Sequence, residues 1–100
     1  MTITKTANGS ELTIALEGRL DTNTSPNLEA ELKLSLGPVT SLILDLAELS
    51  YVSSAGLRVL LMAQKTMNGK KGDMVIRHCS ADIMDIFDVT GFVDILNIED

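Results

Sequence analysis

Tryptophan is absent from this chain, and its aromatic residues amount to one Tyr and two Phe among 100 residues. A hydrophobic core must therefore be aliphatic, built from Leu, Ile, Val and Met. Cys79 is the sole cysteine, which excludes an intramolecular disulfide and fits a reducing compartment. A lone small thiol is expected as a buried packing residue. His78 is the single histidine. No Cys/His spacing for a metal exists, nor a G-x-x-x-x-G-K-[ST] loop for a nucleotide phosphate, so neither metal nor cofactor is expected. No apolar run approaches the ~20 residues of a membrane-spanning helix. The opening MTITKTANGS lacks the apolar stretch of a secretory signal. A soluble, cytoplasmic protein with no membrane partner is expected.

Positive charge is also scarce. Eight Lys and Arg stand against 14 Asp and Glu, a formal charge of −6, with the acids spread along the chain. Phosphate backbones are bound by clustered cations. The only basic cluster, Lys70 and Lys71 before Gly72, reads as a solvated turn, so nucleic acid is not expected as a direct partner. What is present is a 45% apolar fraction, ordinary for a globular protein, on a chain long enough for one modest core. Repeats, low-complexity segments and linkers are lacking.

Taken in order, Thr2 to Thr6 is polar and β-branched, and Asn8-Gly9 is a hairpin signal. Leu12, Ile14 and Leu16 alternate with Thr13, Ala15 and Glu17 as in a half-buried strand, with Gly18 as its end. Pro26 suits the first turn of a helix capped by Ser25. Leu28, Leu32 and Leu36 continue that helix to Gly37-Pro38. SLILDL (Ser41 to Leu46) is a nearly continuous apolar run, which predicts a central strand covered on both faces. Ala47 to Ser50 reads as a short connection. A helix opening at Ser53 or Ser54 should run to about Met67, with Asn68-Gly69 as its stop. Asp73 to Arg77 is a strand. Ser80 caps a helix with Asp82 in its first turn, a stripe of Ile83, Ile86 and Phe87, and Gly91 at its end. Phe92 to Ile98 contains the last strand. The fold class is α/β: a mixed β-sheet opened by an antiparallel hairpin, with helices in the crossovers.

The stretch YVSSAGLRVLL, Tyr51 to Leu61, organises the rest. It sets two serines where a strand gives way to a helix, whose unpaired N–H groups and dipole favour a cap or an anion. At about 100° per residue, Gly56, Val59, Leu60, Ala63 and Met67 form a core face. Ser54, Arg58, Leu61, Met62 and Lys65 fall on the opposite side. Leu and Met within that strip are explained equally by a covering neighbour or by a recognition face. Asp21 follows one strand as the serines follow another, so all three are expected at one end of the sheet. A solvated turn or a helix cap is the plainer account of Asp21. A serine hydrolase would need Ser54, His78 and Asp21 together. Val52 stands two before Ser54, so only half of the nucleophile-elbow pattern is present, and the protein is expected not to be an enzyme.

LEGRLD (Leu16 to Asp21), LILDLAELSYVSSAGLRVLL (Leu42 to Leu61) and IFDVTGFVDIL (Ile86 to Leu96) together resemble the STAS domain. The resemblance is to the stand-alone bacterial anti-sigma factor antagonists, as a single STAS-like domain over residues 1–100. It implies partner switching. The unphosphorylated protein binds an anti-sigma factor that is also a serine kinase, phosphorylation of one serine breaks that contact, and a serine phosphatase restores it. The acceptor position, two before the turn's Gly, falls on Ser54, and the acidic residue of the early G-x-L-D element falls on Asp21. Ser53 stands where the family often has Asp, which makes it the alternative acceptor. Partner-binding residues are then expected to be Asp21, Ser53, Ser54, Arg58, Leu61, Met62 and Lys65. Two further readings remain open: a STAS module that binds a small ligand or scaffolds another signalling complex, and, third, the serine hydrolase.

Overall fold

In the computed structural model, which describes residues 1–99, the elements are β1 (Thr2–Asn8), β2 (Glu11–Leu20), α1 (Ser25–Ser35), β3 (Ser41–Val52), α2 (Ser54–Gly69), β4 (Asp73–Arg77), α3 (Ala81–Thr90), a 3-10 turn (Phe92–Asp94) and β5 (Ile98–Glu99). Five strands form one sheet in the order β1-β2-β3-β4-β5. β1 and β2 are antiparallel, joined through Gly9 at φ +63°, and the remaining neighbours are parallel. The mixed α/β sheet expected from the chain's order is the one observed.

Each crossover advances the sheet by one strand in the same direction. Right-handed crossovers of that kind deliver their helices to the same face. The aligned rows Leu12–Leu42–Met74 and Ile14–Leu44–Ile76 join Leu28 and Leu32 of α1, Leu60 and Met67 of α2, and Ile83 and Phe87 of α3 in one core. The other face carries Thr13–Ile43–Val75 and Ala15–Asp45–Arg77, and it lies outside that core. β3 is therefore covered by helices on one face only, against the expectation for SLILDL. A continuous apolar run reports burial, and Ile43 is buried in the sheet without any helix above it.

Two other boundaries move for a common reason. Gly18 does not end β2, and Ala47 to Ser50 are not a connection. At φ +102°, Gly18 takes a backbone form other residues avoid. It sits at one of two register shifts that let β2 and β3 stay paired as far as Leu20 and Val52. Bulges break strict alternation, so Leu46, Leu49 and Val52 are buried at intervals of three, and a period of two misses them. β4 pairs only as far as Asp45, leaving the far end of β3 to pack against α3.

The helix ends follow side-chain chemistry. Ser25 is not the cap of α1: it lies inside the helix, buried, and its hydroxyl donates to the Asp21 carbonyl. Lys70 Nζ donates to the carbonyls of Leu36 and Gly37 past the end of α1, joining α1 to the end of α2. In α3, Ser80 accepts from the Ile83 N–H and Gly91 closes the helix at φ +80°. Between Phe92 and Ile98 the chain opens with a 3-10 turn, Phe92–Asp94, after which the Phe92 carbonyl accepts from Ile95 and Leu96. Only Ile98 of that span enters β5.

Candidate functional site

Leu20 and Val52 are the last register pair of the parallel strands β2 and β3. Asp21 and Ser53 follow them directly, so the two loops leave neighbouring strands at the same end. The Ser53 N–H donates to the Leu20 carbonyl at 2.8 Å. Gly56 permits this approach: a Cβ there would lie 2.8 Å from both the Leu20 carbonyl oxygen and Leu20 Cγ. The first turn of α2 is thus set against the end of β2, which brings Asp21 and the serine pair to one surface.

The two serines have different employment. Ser53 is the N-cap, with extended backbone (φ −88°, ψ 175°), and its Oγ accepts from the Gly56 N–H at 3.2 Å. Its carbonyl accepts from the Leu57 N–H at 2.9 Å. Ser54 is the first residue of α2 and is exposed, with no partner for its hydroxyl among the described residues. The first turn of α2 holds no acidic side chain. The positive end of a 16-residue helix therefore has no carboxylate of its own beside the exposed hydroxyl.

Asp21 is a structural carboxylate with one oxygen to spare. Its Oδ1 accepts from the N–H groups of Asn23 and Thr24, each at 3.0 Å, and from the Thr24 hydroxyl at 3.1 Å. Its Oδ2 lies 3.8 Å from Arg19 Nε, and the Arg19 guanidinium sits 4.3 Å above the Tyr51 ring. The Thr24 N–H is the main cause that holds the Asp21 carboxyl below its ordinary value. Desolvation opposes it, and the Thr24 hydroxyl, the Asn23 N–H and Arg19 assist. The group is a firm anion beside the serine pair.

With this geometry in view, the comparisons decide the family. The STAS domain model matches residues 2–100. This chain belongs to the STAS domain family. BtrV of Bordetella bronchiseptica, provisionally named an anti-sigma factor antagonist, is 32% identical over 88 residues, spanning 87% of this chain and 76% of its own length. The anti-sigma-B factor antagonist of Listeria monocytogenes is 30% identical over 87 residues, spanning 86% and 76%. The anti-sigma factor antagonist SpoIIAA matches in its unphosphorylated form with a TM-score of 0.78 at 19% identity, over 99% of this chain and 88% of that one. Its phosphorylated form matches with the same score and identity, over 99% and 92%. The likeness to SpoIIAA is one of fold.

In this STAS domain the core face of α2 is as expected: Gly56, Val59, Leu60, Ala63 and Met67 are all buried, joined by Leu57 and Gln64. The opposite strip forms the crest of α2. Ser54, Arg58 and Lys65 are exposed, while Leu61 and Met62 are half-buried. Met62 packs on the core and lines a groove with Leu32, Leu36 and Lys70, so α1 accounts for it. Arg58 borders an open groove of about 410 Å³ with Thr22, Glu29 and Lys33. Ser54 borders a different one, of about 380 Å³, with Tyr51, Leu57, Ile86 and Val89. Sequence reasoning missed that second groove. Its signal was Val89, a β-branched residue lying off the Ile83–Ile86–Phe87 stripe.

His78 lies elsewhere in the STAS fold. Its Nδ1 is 3.1 Å from Asp45 Oδ1, just past the pairing of Arg77 with Asp45. β3 continues from Asp45 to Val52, and at ~3.3 Å per residue that separates His78 from Ser54 by roughly 20 Å. The Ser54–His78–Asp21 set required of a hydrolase is not assembled.

Proposed function

We propose that this chain is an anti-sigma factor antagonist working by partner switching, with Ser54 as the phosphorylated residue. Unphosphorylated, it binds an anti-sigma factor that is also a serine kinase and so frees the sigma factor. Phosphorylation by that kinase ends the contact, and a serine phosphatase restores it. Transcription is regulated indirectly, in the cytoplasm, through binding by this chain and not through catalysis.

The observation that carries the choice of Ser54 is the division of labour between the serines. The Ser53 hydroxyl is held in the cap, whereas the Ser54 hydroxyl is exposed and unpartnered beside free helix N–H groups. A phosphate there gains from the helix dipole, by about 0.3–1 kcal/mol when exposed, so the fold is kept. The loss falls on the interface. A contact complementary to a neutral hydroxyl would meet about −1.5 to −2 charge, and a poorly compensated buried charge costs about 3–5 kcal/mol. Asp21, Arg58, Leu61 and Lys65 complete the proposed contact surface, whereas Met62 is taken up by α1.

Pull-down from the native cell should recover a kinase-like anti-sigma factor, and intact-mass mapping should place the phosphate on Ser54. Ser54→Ala is expected to bind that partner like the unmodified protein, and Ser54→Asp about 100-fold or more weakly. Equal affinities would remove Ser54 as the switch. The groove beside Arg58 favours a second reading, a STAS module that takes a small ligand or scaffolds another signalling complex. Recovery of such a complex without an anti-sigma factor would favour it. Ester hydrolysis lost on Ser54→Ala would return the hydrolase.

A further inference from the structure

The groove on whose rim Ser54 stands is walled by Tyr51, Val52, Leu57, Ile86 and Val89. Val89 is 88% exposed, although α3 already anchors itself through Ile83 and Phe87, both fully buried. A single exposed Val is ordinary. This one continues an apolar depression that includes a Tyr ring 36% exposed. On the β3 side Arg19 covers the Tyr51 ring, whereas on the α3 side the charge is of one sign. α3 exposes Asp82, Asp85 and Asp88 and holds no Lys or Arg. None of the three is in an ion pair among the described residues. At about 100° per residue, Asp82 and Asp85 stand on either side of Val89.

We infer that the groove between α2 and α3 is the second half of the partner surface, and that it receives an apolar side chain of the anti-sigma factor flanked by Lys or Arg. This rests on the function proposed above. Charge selects the occupant. An acidic segment would meet three unpaired carboxylates. A second copy of this chain, in a two-fold contact, would bring the same three carboxylates and its own net charge of −6 to the same patch. A basic, apolar segment fills the depression and neutralises its rim. The arrangement also explains how Ser54 acts on it. The partner's cations are matched to α3, across the groove. A phosphate on Ser54 would lose water to the entering apolar side chain, and the partner's cations, matched to α3, would not be placed to meet it.

The test titrates the purified anti-sigma factor into the full unphosphorylated chain by calorimetry, at low and high salt, with Val89→Ala and with Asp82→Asn/Asp85→Asn. All three side chains are exposed, and unfolding curves verify that the variants fold. Val89→Ala is expected to weaken binding about tenfold at both salts. The double Asn variant should weaken it severalfold at low salt, the difference shrinking at high salt as screening grows. If both variants bind like the wild type while Ser54→Asp does not, the groove assignment is overturned and the proposed function stands. If the wild type does not bind at all, both fall together. A dimer in sedimentation that Val89→Ala dissociates would hand the groove to a second copy and overturn the inference.

Discussion

Two adjacent hydroxyls, on Ser53 and Ser54, differ by one backbone position and by everything that matters for their use. Removing the Ser53 hydroxyl leaves the Gly56 N–H without its acceptor. Loss of an N-cap costs about 1 kcal/mol, so Ser53→Ala should lower the melting temperature by about 4–8 °C for a domain of this size. Ser54→Ala removes an exposed group and should change stability by no more than about 0.5 kcal/mol. Thermal unfolding of the two variants side by side checks the assignment. Equal losses would mean that the serines share the cap. This much of the site was half legible in the chain: S-S-A-G announced a helix start, and the family's pattern put the acceptor at Ser54. Which serine caps is a question of backbone angle, and ψ of 175° at Ser53 answers it.

Among the elements, the decisive contact is between the first turn of α2 and the end of β2. Gly56 is the point of approach, and the obstacle to any larger residue is the backbone carbonyl of Leu20, which no rotamer change can move. Gly56→Ala, although it raises helix propensity, should destabilise by about 1–3 kcal/mol through overpacking and shift the serine pair away from Asp21. Chemical denaturation reports the first effect, and weaker binding to the proposed anti-sigma factor partner the second. A variant as stable as the wild type would show that the helix start has room to move. The sequence placed Gly56 on the core face of its helix, without naming the neighbour it meets. Its necessity comes from a neighbour 36 positions earlier, which no local pattern contains.

At the level of the whole molecule, acid stability depends on carboxylates that the fold holds as anions. Asp21 is lowered chiefly by the Thr24 N–H. At Asp45 burial pulls upward, but the Ala47 N–H and His78 outweigh it, and the net direction is again down. A depressed carboxyl binds fewer protons folded than unfolded, so its contribution is present above the ordinary carboxylate pKa of about 3.9. It is lost as pH falls through the lower folded value. Melting temperature should therefore decline as pH is lowered from about 5 toward 2. Asp21→Asn and Asp45→Asn should each flatten that decline. An unchanged slope in both would place the acid sensitivity in other groups.

Much of the architecture was determined by the sequence alone. Turn residues, caps and apolar periodicity act over a few residues, so the hairpin, three helices, β4 and the buried face of α2 could be read from it. The serine at the helix start could be read in the same way. The tertiary structure decided the rest, because those features depend on residues far apart in the chain. Pairing across Gly18 carries β3 through Ala47 to Ser50 as strand. The one-directional strand order leaves Ile43 and Asp45 on a face without helices. Asp21 spends one oxygen on its own turn and keeps the other beside Arg19. The groove that joins Ser54 to Val89 exists only because β3 outruns β4 and meets α3, a consequence of register that neither segment carries by itself.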